Sequence, residues 1–458
     1  MPPLKKGAAE RKRGGGIFCK AFKAYLDKSL PASLFQREEF RGYPQKGIQM
    51  IKWDLAQKQM NNVAAITFWS QFASYTYNTV LILFLTRPAL LHGLGYAEKN
   101  AYAFFGVYSA FIYLTLLSGG HIADKLLGIR RAVLVGSVLL TIAFFLVFLS
   151  GFSLRHGNHL FLMAFALIPV CGSILNGAAS ALIARIFSES PLRIKSGMTL
   201  YYMAINVGSL LATIFSPMMM NNQYGPFMIF GLVVLGKGLS AYNYAKRYQL
   251  YESVMDAVDK TRMTAKRWIL LAIYILLFAI LTYMAFSAVF LASYLIIVGC
   301  TFSVFWFVGK TLTLTGEVRF KQLIAVILIL EAVIFFILYN QMNTSIVLFA
   351  RNNSDLSLLG FKVNPAQFLM VNPIAIIILG LTLPSFYRAF PKFKIPYQFS
   401  AGVMVGGLGL LIAYVATLFA HQGLVNGNWF ILIYFVLAIA EMWVSAIGLS
   451  MIGLYCDK

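Results

Sequence analysis

Apolar stretches of about 20 residues recur along most of this chain and constrain its fold more than any other feature. Twelve such stretches fall at 63–86, 101–119, 131–152, 159–185, 196–219, 225–245, 268–286, 288–309, 320–341, 365–389, 398–420 and 428–451. A helix needs about 20 apolar residues to cross a bilayer, because lipid offers backbone groups no other hydrogen-bonding partner. The pattern therefore predicts an all-α polytopic membrane protein.

The positive charges alternate with these stretches. With the N-terminus inside, 32 of the 38 Lys and Arg residues fall on the inner side, five fall on the outer side, and Lys237 lies within a span. Such a bias is typical of an integral membrane protein with a cytoplasmic N-terminus. It also accounts for the net charge of +22 without a nucleic-acid partner, so the bilayer is the partner that the charge predicts.

Motifs of enzymes and metal sites are absent from the sequence. The four cysteines are scattered without a CxxC pair, and the five histidines form no HExxH or other ligand cluster. We find no phosphate-binding glycine loop and no nucleophile elbow. The sequence therefore predicts neither an enzyme nor a metal site, and no cofactor other than a proton gradient.

One short inner loop combines glycines with charges. The segment "GGHIADKLLGIRRAV" (119–133) contains Asp124, Arg130 and Arg131 between glycines that let two helices approach closely. We expect Asp124 to pair with cations or with the N-terminal end of the next helix. The segment resembles the loop motif of the major facilitator superfamily, which implies a conformational role for these three residues.

Four further segments resemble the proton-coupled oligopeptide transporter (POT, peptide transporter) family. They are "SGMTLYYMAINVGSLLA" (196–212), "ILYNQ" (337–341), "GFKVNPAQFLMVNPIAIIIL" (360–379) and "AEMWVSAIGLSMI" (440–452). The resemblance implies a two-bundle transporter that carries di- or tripeptides by alternating access in a bacterial inner membrane. It also implies a helix pair between the halves, whereas the family's last two helices have no counterpart before residue 458.

On this basis the chain divides into five parts. These are a basic tail (1–62), an N-terminal six-helix bundle (63–245), a cytoplasmic linker (246–267), an extra hairpin (268–309) and a C-terminal bundle of four helices (310–458). Residues 33–59 of the tail suit either short interfacial helices or a solvated segment. The sequence leaves the oligomeric state open.

The family's first-helix motif, E-x-x-E-R-F, has lost its charges in this chain. Thr67, Ser70 and Gln71 stand in the Glu, Glu and Arg places. Neutral residues also replace a family Arg (Asn78) and the Glu of the F-E-Q motif (Asn340). The pattern favours a polar but uncharged cavity; the alternative is that these side chains only join helices by hydrogen bonds.

The resemblance carries over a set of candidate site residues. The predicted substrate-binding residues are Glu441, Asn372, Tyr75, Asn78, Gln71, Tyr108, Asn176, Tyr202, Asn340 and Ser445. Glu441 matches a family Glu that pairs with the peptide's α-amino group, and a carboxylate at membrane depth is functional by default. Glu441 and Glu331 are the candidates for proton coupling, although Glu331 also suits a helix-packing role. For Lys237 we expect snorkelling or a carboxylate partner.

Three alternatives stay open at this stage. The chain could be a proton-coupled symporter. It could also be a facilitator that lost proton coupling when the first-helix charges were lost. It could also take an altered substrate. A further hypothesis is that the chain is a non-transporting relative, a sensor or scaffold, in which the basic tail carries the function.

Overall fold

The computed structural model describes residues 47–152, 158–176, 178–188, 191–222, 224–390 and 395–455. The basic tail up to residue 46 lies outside the described residues, and so does the side chain of Ser445. Within the described part, nearly all residues belong to helices, as the apolar pattern predicts.

The first half of the chain forms α1 (Gly47–Asn78), α2 (Leu81–Thr86), α3 (Glu98–Ile122), α4 (Ile129–Ser150), α5 (His159–Asn176), α6 (Ala178–Ile186), α7 (Pro191–Met219) and α8 (Gly225–Lys246). A short 3-10 helix at Ala89–Leu91 and a π-helical turn at Ala123–Leu127 join some of these. Pro169 lies inside α5, and Pro217 inside α7.

The second half continues with α9 (Ala257–Lys260), α10 (Ala265–Ser287), α11 (Val289–Leu312), α12 (Gly316–Tyr339), α13 (Ser345–Asn353), α14 (Val371–Ala389), α15 (Ile395–Leu418) and α16 (Trp429–Tyr455). Three 3-10 helices lie at Tyr248–Val254, Asn340–Asn343 and Pro365–Met370. An antiparallel pair of two-residue strands, β1 (Ser357–Leu358) and β2 (Phe361–Lys362), forms a small external hairpin.

Nine helical stretches in the described part of the chain are long and apolar enough to cross a membrane. Two shorter apolar helices lie at Pro365–Gly380 and Trp429–Val444, where two further spans are expected. The remaining predicted span, 63–86, corresponds to α1 and α2, and the polar residues of α1 lower its mean hydropathy. The membrane fold is therefore confirmed, whereas the number twelve stays a prediction.

α1 lies at the centre of the N-terminal half, between α7 and α8. A Cβ atom on Gly208 would lie 2.9 Å from the carbonyl oxygen of Phe68, so only glycine allows α7 to approach α1 this closely. Behind α1, the buried rings of Phe104, Phe161 and Phe165 contact one another and fill the core between α3 and α5. Each buried phenylalanine contributes about 2 kcal/mol of transfer free energy in a water-based reference.

α1 begins earlier than the sequence predicts. Residues 47–62, which we assigned to the tail, continue as part of the same helix. Gln59 and Asn62 are fully buried because they contact the linker rather than lipid. Gln59 donates to the carbonyl oxygen of Leu250 at 2.7 Å, and the Tyr251 hydroxyl donates to Asn62 at 2.7 Å.

The extra hairpin consists of α10 and α11, which meet at Ala288. It packs against α3 and α5 on the outside of the N-terminal half. The Tyr274 hydroxyl lies 3.2 Å from Ser118 and 3.0 Å from Ser173, and Phe286 packs against Phe104. Most other side chains of α11 are exposed, which suits a lipid-facing helix.

The two halves are joined at the end of the molecule opposite the linker. Arg351 forms an ion pair with Glu98 at 2.9 Å and donates to the Thr86 hydroxyl at 2.7 Å. Nearby, Asn364 donates to Asn221 at 2.9 Å. These contacts hold α13 against α2 and α3, so this end is closed in the conformation described.

Candidate functional site

The carboxylate of Glu441 is the centre of the candidate site. It lies half-buried on α16, where Asn372 at the start of α14 donates to it at 3.1 Å. The Tyr339 hydroxyl at the end of α12 lies close to this carboxylate. Three helices of the C-terminal half therefore meet at one carboxylate: α16 carries Glu441 itself, α14 carries Asn372 and α12 carries Tyr339.

The N-terminal half approaches the same carboxylate from the other side. Tyr75 of α1 and Tyr202 of α7 both lie within electrostatic range of Glu441. The Tyr202 hydroxyl is 3.7 Å from the sulfur of Met442, the residue after Glu441. The carboxylate thus lies between the two halves, where a bound molecule would contact both.

Glu441 has no cationic partner among the described residues, where no Lys, Arg or His nitrogen lies within 4 Å of it. Its neighbours are phenol hydroxyls and one amide, which donate hydrogen bonds but carry no charge. A carboxylate removed from bulk water is costly unless it is paired. The Glu441 carboxylate therefore lacks a counter-charge, and a positively charged ligand group would supply it.

α1 adds two neutral polar side chains to this side of the site. Gln71 and Asn78 are both half-buried and lie on the same face of α1 as Tyr75, at i, i+4 and i+7 spacing. Neither has a hydrogen-bond partner among the described residues, so both amides can accept or donate to a bound molecule. Their placement fits the uncharged, polar surface that the sequence predicts.

Three other predicted residues form no hydrogen bond with Glu441 in the described part of the chain. Tyr108 is 1% exposed and shares a short hydrogen bond with the Tyr77 hydroxyl inside the aromatic core, so it is a packing residue in this conformation. Asn176 is exposed at the end of α5. Asn340 is also exposed, and its amide donates to the carbonyl oxygen of Phe336 at 2.8 Å.

Glu331 lies on α12, two turns before Tyr339, and is half-buried. The Ser400 hydroxyl of α15 bridges its two carboxylate oxygens at 2.9 and 3.0 Å. Eight residues of helix separate Glu331 from Tyr339, a rise of about 12 Å. The contact joins α12 to α15, which agrees with the packing role that the sequence leaves open.

The loop motif is organised by a residue that the sequence analysis missed. Asp259 of the linker accepts the first backbone amides of α4, from Arg130 at 3.1 Å and from Arg131 at 3.2 Å. Asp124 lies exposed on the π-helical turn. The expected partners of Asp124, a cation or the N-terminal end of the next helix, therefore stay a prediction. A carboxylate at this position stabilises a helix N-terminus by about 0.3–1 kcal/mol.

The linker is docked by further polar contacts. Asp256 and Asp259 form a capping box around α9, and Asp256 pairs with Arg185 at 3.2 Å. Arg130 is buried and donates to the carbonyl oxygen of Tyr248 at 2.9 Å. The D-x-x-D pattern at 256–259 is a capping signal that could have been recognised in the sequence.

Lys237 neither snorkels nor pairs with a carboxylate, so both expectations for it are wrong. Its side chain is 3% exposed in the middle of α8. The ammonium donates to the Ser70 carbonyl oxygen at 2.7 Å, the Ser70 hydroxyl at 3.0 Å and the Ser74 hydroxyl at 2.7 Å. α8 packs closely against α1 here, and the Lys237 side chain points towards α1 rather than towards the membrane–water interface.

Apolar membrane-spanning helices in two halves, with a polar site between them, define an integral membrane transporter of the major facilitator type. The profile of the POT family matches residues 130–454. The chain therefore belongs to the POT family, as its motifs predict.

The relatives agree with this assignment and are permeases rather than enzymes. Dipeptide and tripeptide permease B of Aliivibrio fischeri is 30% identical over 405 residues, covering 86% of this chain and 79% of the permease. Dipeptide and tripeptide permease A of Pectobacterium carotovorum is 29% identical over 394 residues, covering 85% and 76%. A crystal structure of tetrameric PepTSo2 superposes with a TM-score of 0.77 at 25% identity, covering 87% of this chain and 86% of that one.

Proposed function

We propose that this protein transports di- or tripeptides, or similar small peptidic compounds, by alternating access. The observation that carries the proposal is the unpaired Glu441 carboxylate between the two halves. A peptide's α-ammonium group would supply the missing positive charge, and Asn372 and Tyr339 would hold the carboxylate in place. The related permeases, which carry dipeptides and tripeptides by name, support the same substrate class.

The opposite end of the peptide would meet neutral groups. In this proposal Gln71, Asn78 and Asn176 hydrogen-bond the peptide carboxylate, and Asn340, Ser445 and Tyr202 complete the surface. Neutral donors bind a carboxylate more weakly than a cation does, and they accept an amide almost equally well. We therefore expect weak selection for a free C-terminal carboxylate and strong selection for a free amino group.

Orientation and coupling belong to the same proposal. The excess of Lys and Arg on the linker side supports a cytoplasmic N-terminus and linker in a bacterial inner membrane. Transport would then be driven by an inward proton gradient, with Glu441 and Glu331 as carboxylate candidates for coupling. An uncoupled facilitator is the competing form, because the first-helix carboxylates are absent.

The test is uptake of labelled dialanine into proteoliposomes that are preloaded with unlabelled dialanine. Competition by dialanine, N-acetyl-dialanine and dialanine amide compares a free peptide with one that lacks the amino charge and one that lacks the carboxylate. We expect dialanine and its amide to compete and the N-acetyl compound to fail. In Glu441→Gln this discrimination should shrink.

Glu317→Gln is the matched control, since Glu317 is an exposed carboxylate that pairs with Lys321 on the surface of α12. It should behave like the wild type. Equal competition by all three compounds would contradict the role of Glu441. A folded preparation that shows no uptake would overturn dialanine as a substrate and favour a non-transporting protein.

A further inference from the structure

A line of hydrogen bonds joins α1 to α8 along their length, and we call it the polar seam. Its members are Asn62, Ser70 and Ser74 of α1 with Lys237, Ser240 and Asn243 of α8. Besides the contacts of Lys237, Asn62 donates to Asn243 at 2.6 Å, and Ser240 donates to the Ile66 carbonyl oxygen at 2.8 Å. On α8 the members recur every three positions, and on α1 the Ile66 carbonyl lies midway between Asn62 and Ser70, so the contacts form one continuous face.

Lys237 occupies the deepest position of the polar seam. It lies nine residues before the end of α8 at Lys246, which places it about 13 Å along the helix from that end. An ammonium ion has three N–H donors. The Ser70 carbonyl and the hydroxyls of Ser70 and Ser74 supply three acceptors, all within 3.0 Å of Nζ. The site thus matches the protonated form of the side chain.

The helices around Lys237 bring no compensating negative charge. α4, α7, α8 and the part of α1 from residue 55 onward contain no Asp or Glu. From α1 only Ser70 and Ser74 face Nζ, and from α4 the Phe144 ring lies 5.9 Å away. From α7, the third helix on this side, no described side chain forms a hydrogen bond to it.

The other titratable and charged groups of these helices lie elsewhere along them. Charged residues belong to the linker-end turns of these helices: Lys52, Asp54 and Lys58 on α1, Arg130 and Arg131 on α4, Arg193 and Lys195 on α7, and Lys246 on α8. The tyrosines are Tyr75 and Tyr77 on α1, Tyr201 and Tyr202 on α7, and Tyr242 and Tyr244 on α8. None of them forms a hydrogen bond with Lys237 in the described part of the chain.

Burying an ammonium ion costs free energy, and neutral acceptors offset this cost less well than a carboxylate does. The charge on Lys237 therefore depends on the three acceptors of α1 being in place. Ser70 and Ser74 each precede a residue of the candidate site, Gln71 and Tyr75. A ligand that shifts this turn of α1 would also move the acceptors of the lysine.

We propose that Lys237 is a proton-binding site which is loaded while Ser70 and Ser74 hold the ammonium and emptied when α1 moves. On emptying, the ammonium becomes a neutral amine, and its proton passes to water on the linker side. Thr67 extends the same face of α1 towards the linker, and its buried hydroxyl has no partner among the described residues. The proposal rests on the transport function proposed above.

The experiment measures two quantities on the same proteoliposomes. One is dialanine exchange without a gradient, and the other is acidification of an internal pH dye during dialanine entry. Wild type is compared with Lys237→Arg, which keeps the charge, and with Lys237→Gln, which removes it. Lys246→Gln is the matched control, because Lys246 is an exposed lysine at the end of the same helix.

The readout is the ratio of proton entry to dialanine exchange. We expect wild type and Lys246→Gln to move protons with dialanine, and we expect both Lys237 variants to lose proton entry down to the level of protein-free liposomes. A Lys237 variant with the wild-type ratio would overturn the proposal. So would a wild type that exchanges dialanine without moving protons.

Absence of exchange in the wild type would mean that the transport proposal has failed for dialanine. Lys237 is then tested without substrate, from the melting temperature in detergent between pH 5 and pH 10. A difference between wild type and Lys237→Gln that changes with pH supports a titrating lysine. A difference that stays constant over this range overturns it.

Discussion

Lys237 in the N-terminal half and Glu441 in the C-terminal half are both charged groups at membrane depth, and both lack an oppositely charged partner in the described part of the chain. Their surroundings differ. Lys237 is almost fully buried, with one acceptor for each of its three N–H groups. Glu441 is half-buried, and the donor that contacts it, the Asn372 amide, is neutral.

Lys237 is therefore satisfied by hydrogen bonds within the protein, whereas Glu441 lacks a counter-charge that a ligand would supply. The three acceptors of Lys237 use all its N–H donors, so it has none left for a further molecule. The Glu441 carboxylate has no cationic partner and can bind a cation. The comparison leads to four predictions, which run from the largest expected effect to the smallest.

Glu441→Gln should weaken dialanine binding most. Hydrogen bonds to charged groups contribute about 1.5–3 kcal/mol, so the half-saturating concentration should rise roughly ten- to a hundredfold. Concentration-dependent exchange in proteoliposomes measures it, with Glu317→Gln as the reference. An unchanged half-saturating concentration would mean that the carboxylate does not receive the ligand's charge.

The double variant Ser70→Ala/Ser74→Ala should destabilise the protein by about 2 kcal/mol, because it leaves two N–H groups of a buried ammonium without acceptors. Adding Lys237→Met removes the unsatisfied charge and should restore most of this loss, as a double-mutant cycle would reveal. Denaturant unfolding in detergent provides the free energies. If the two serine substitutions lower the free energy of unfolding equally in the wild type and in Lys237→Met, the serines act independently of the lysine.

Asn372→Ala removes one neutral donor from the Glu441 carboxylate and should weaken dialanine binding about fivefold, equivalent to roughly 1 kcal/mol. The same exchange assay measures this effect. Thr382→Ala is the control on the same helix, since its hydroxyl bonds only to the preceding turn. If both variants bind equally well, Asn372 has no part in holding the carboxylate.

Asp259→Asn should have the smallest effect. It removes the charge that caps α4 and should lower stability by about 0.5–1 kcal/mol. Melting in detergent is sufficient to detect it, and raising the salt concentration should reduce the effect. Glu317→Asn is the control, since Glu317 is an exposed carboxylate that pairs with Lys321 of its own helix; an equal loss for that variant would mean that Asp259 does not act as a cap.

The two sites also differ in how far sequence could predict them. Glu441 and Asn372 were predicted because each lies in a motif that resembles the POT family, and in the structure the Asn372 amide lies 3.1 Å from the Glu441 carboxylate. Tyr339, which lies close to the same carboxylate, was not predicted although it lies within the quoted segment "ILYNQ". Tyr108 was included on resemblance alone, and the structure places it in the aromatic core.

The partners of Lys237 and the cap of α4 could not be read from local pattern. Lys237 and Ser70 are 167 positions apart, and Asp259 is 129 positions from Arg130. Whether such residues meet depends on how each helix is rotated about its axis and on which neighbour it packs against. Hydropathy does not encode that rotation when most faces of a helix are apolar.

Sequence alone was sufficient for the properties that arise from local composition and from short motifs: the membrane-spanning helices, the sidedness of the charges as a prediction, and membership of the POT family. Lipid requires every spanning segment to satisfy its own backbone, so composition is enough to identify it. Only the tertiary structure decided that Lys237 turns to the serines of α1, that Asp259 caps α4, and that Glu441 faces the space between the halves. Each of these depends on distances between distant residues, which close helix packing sets.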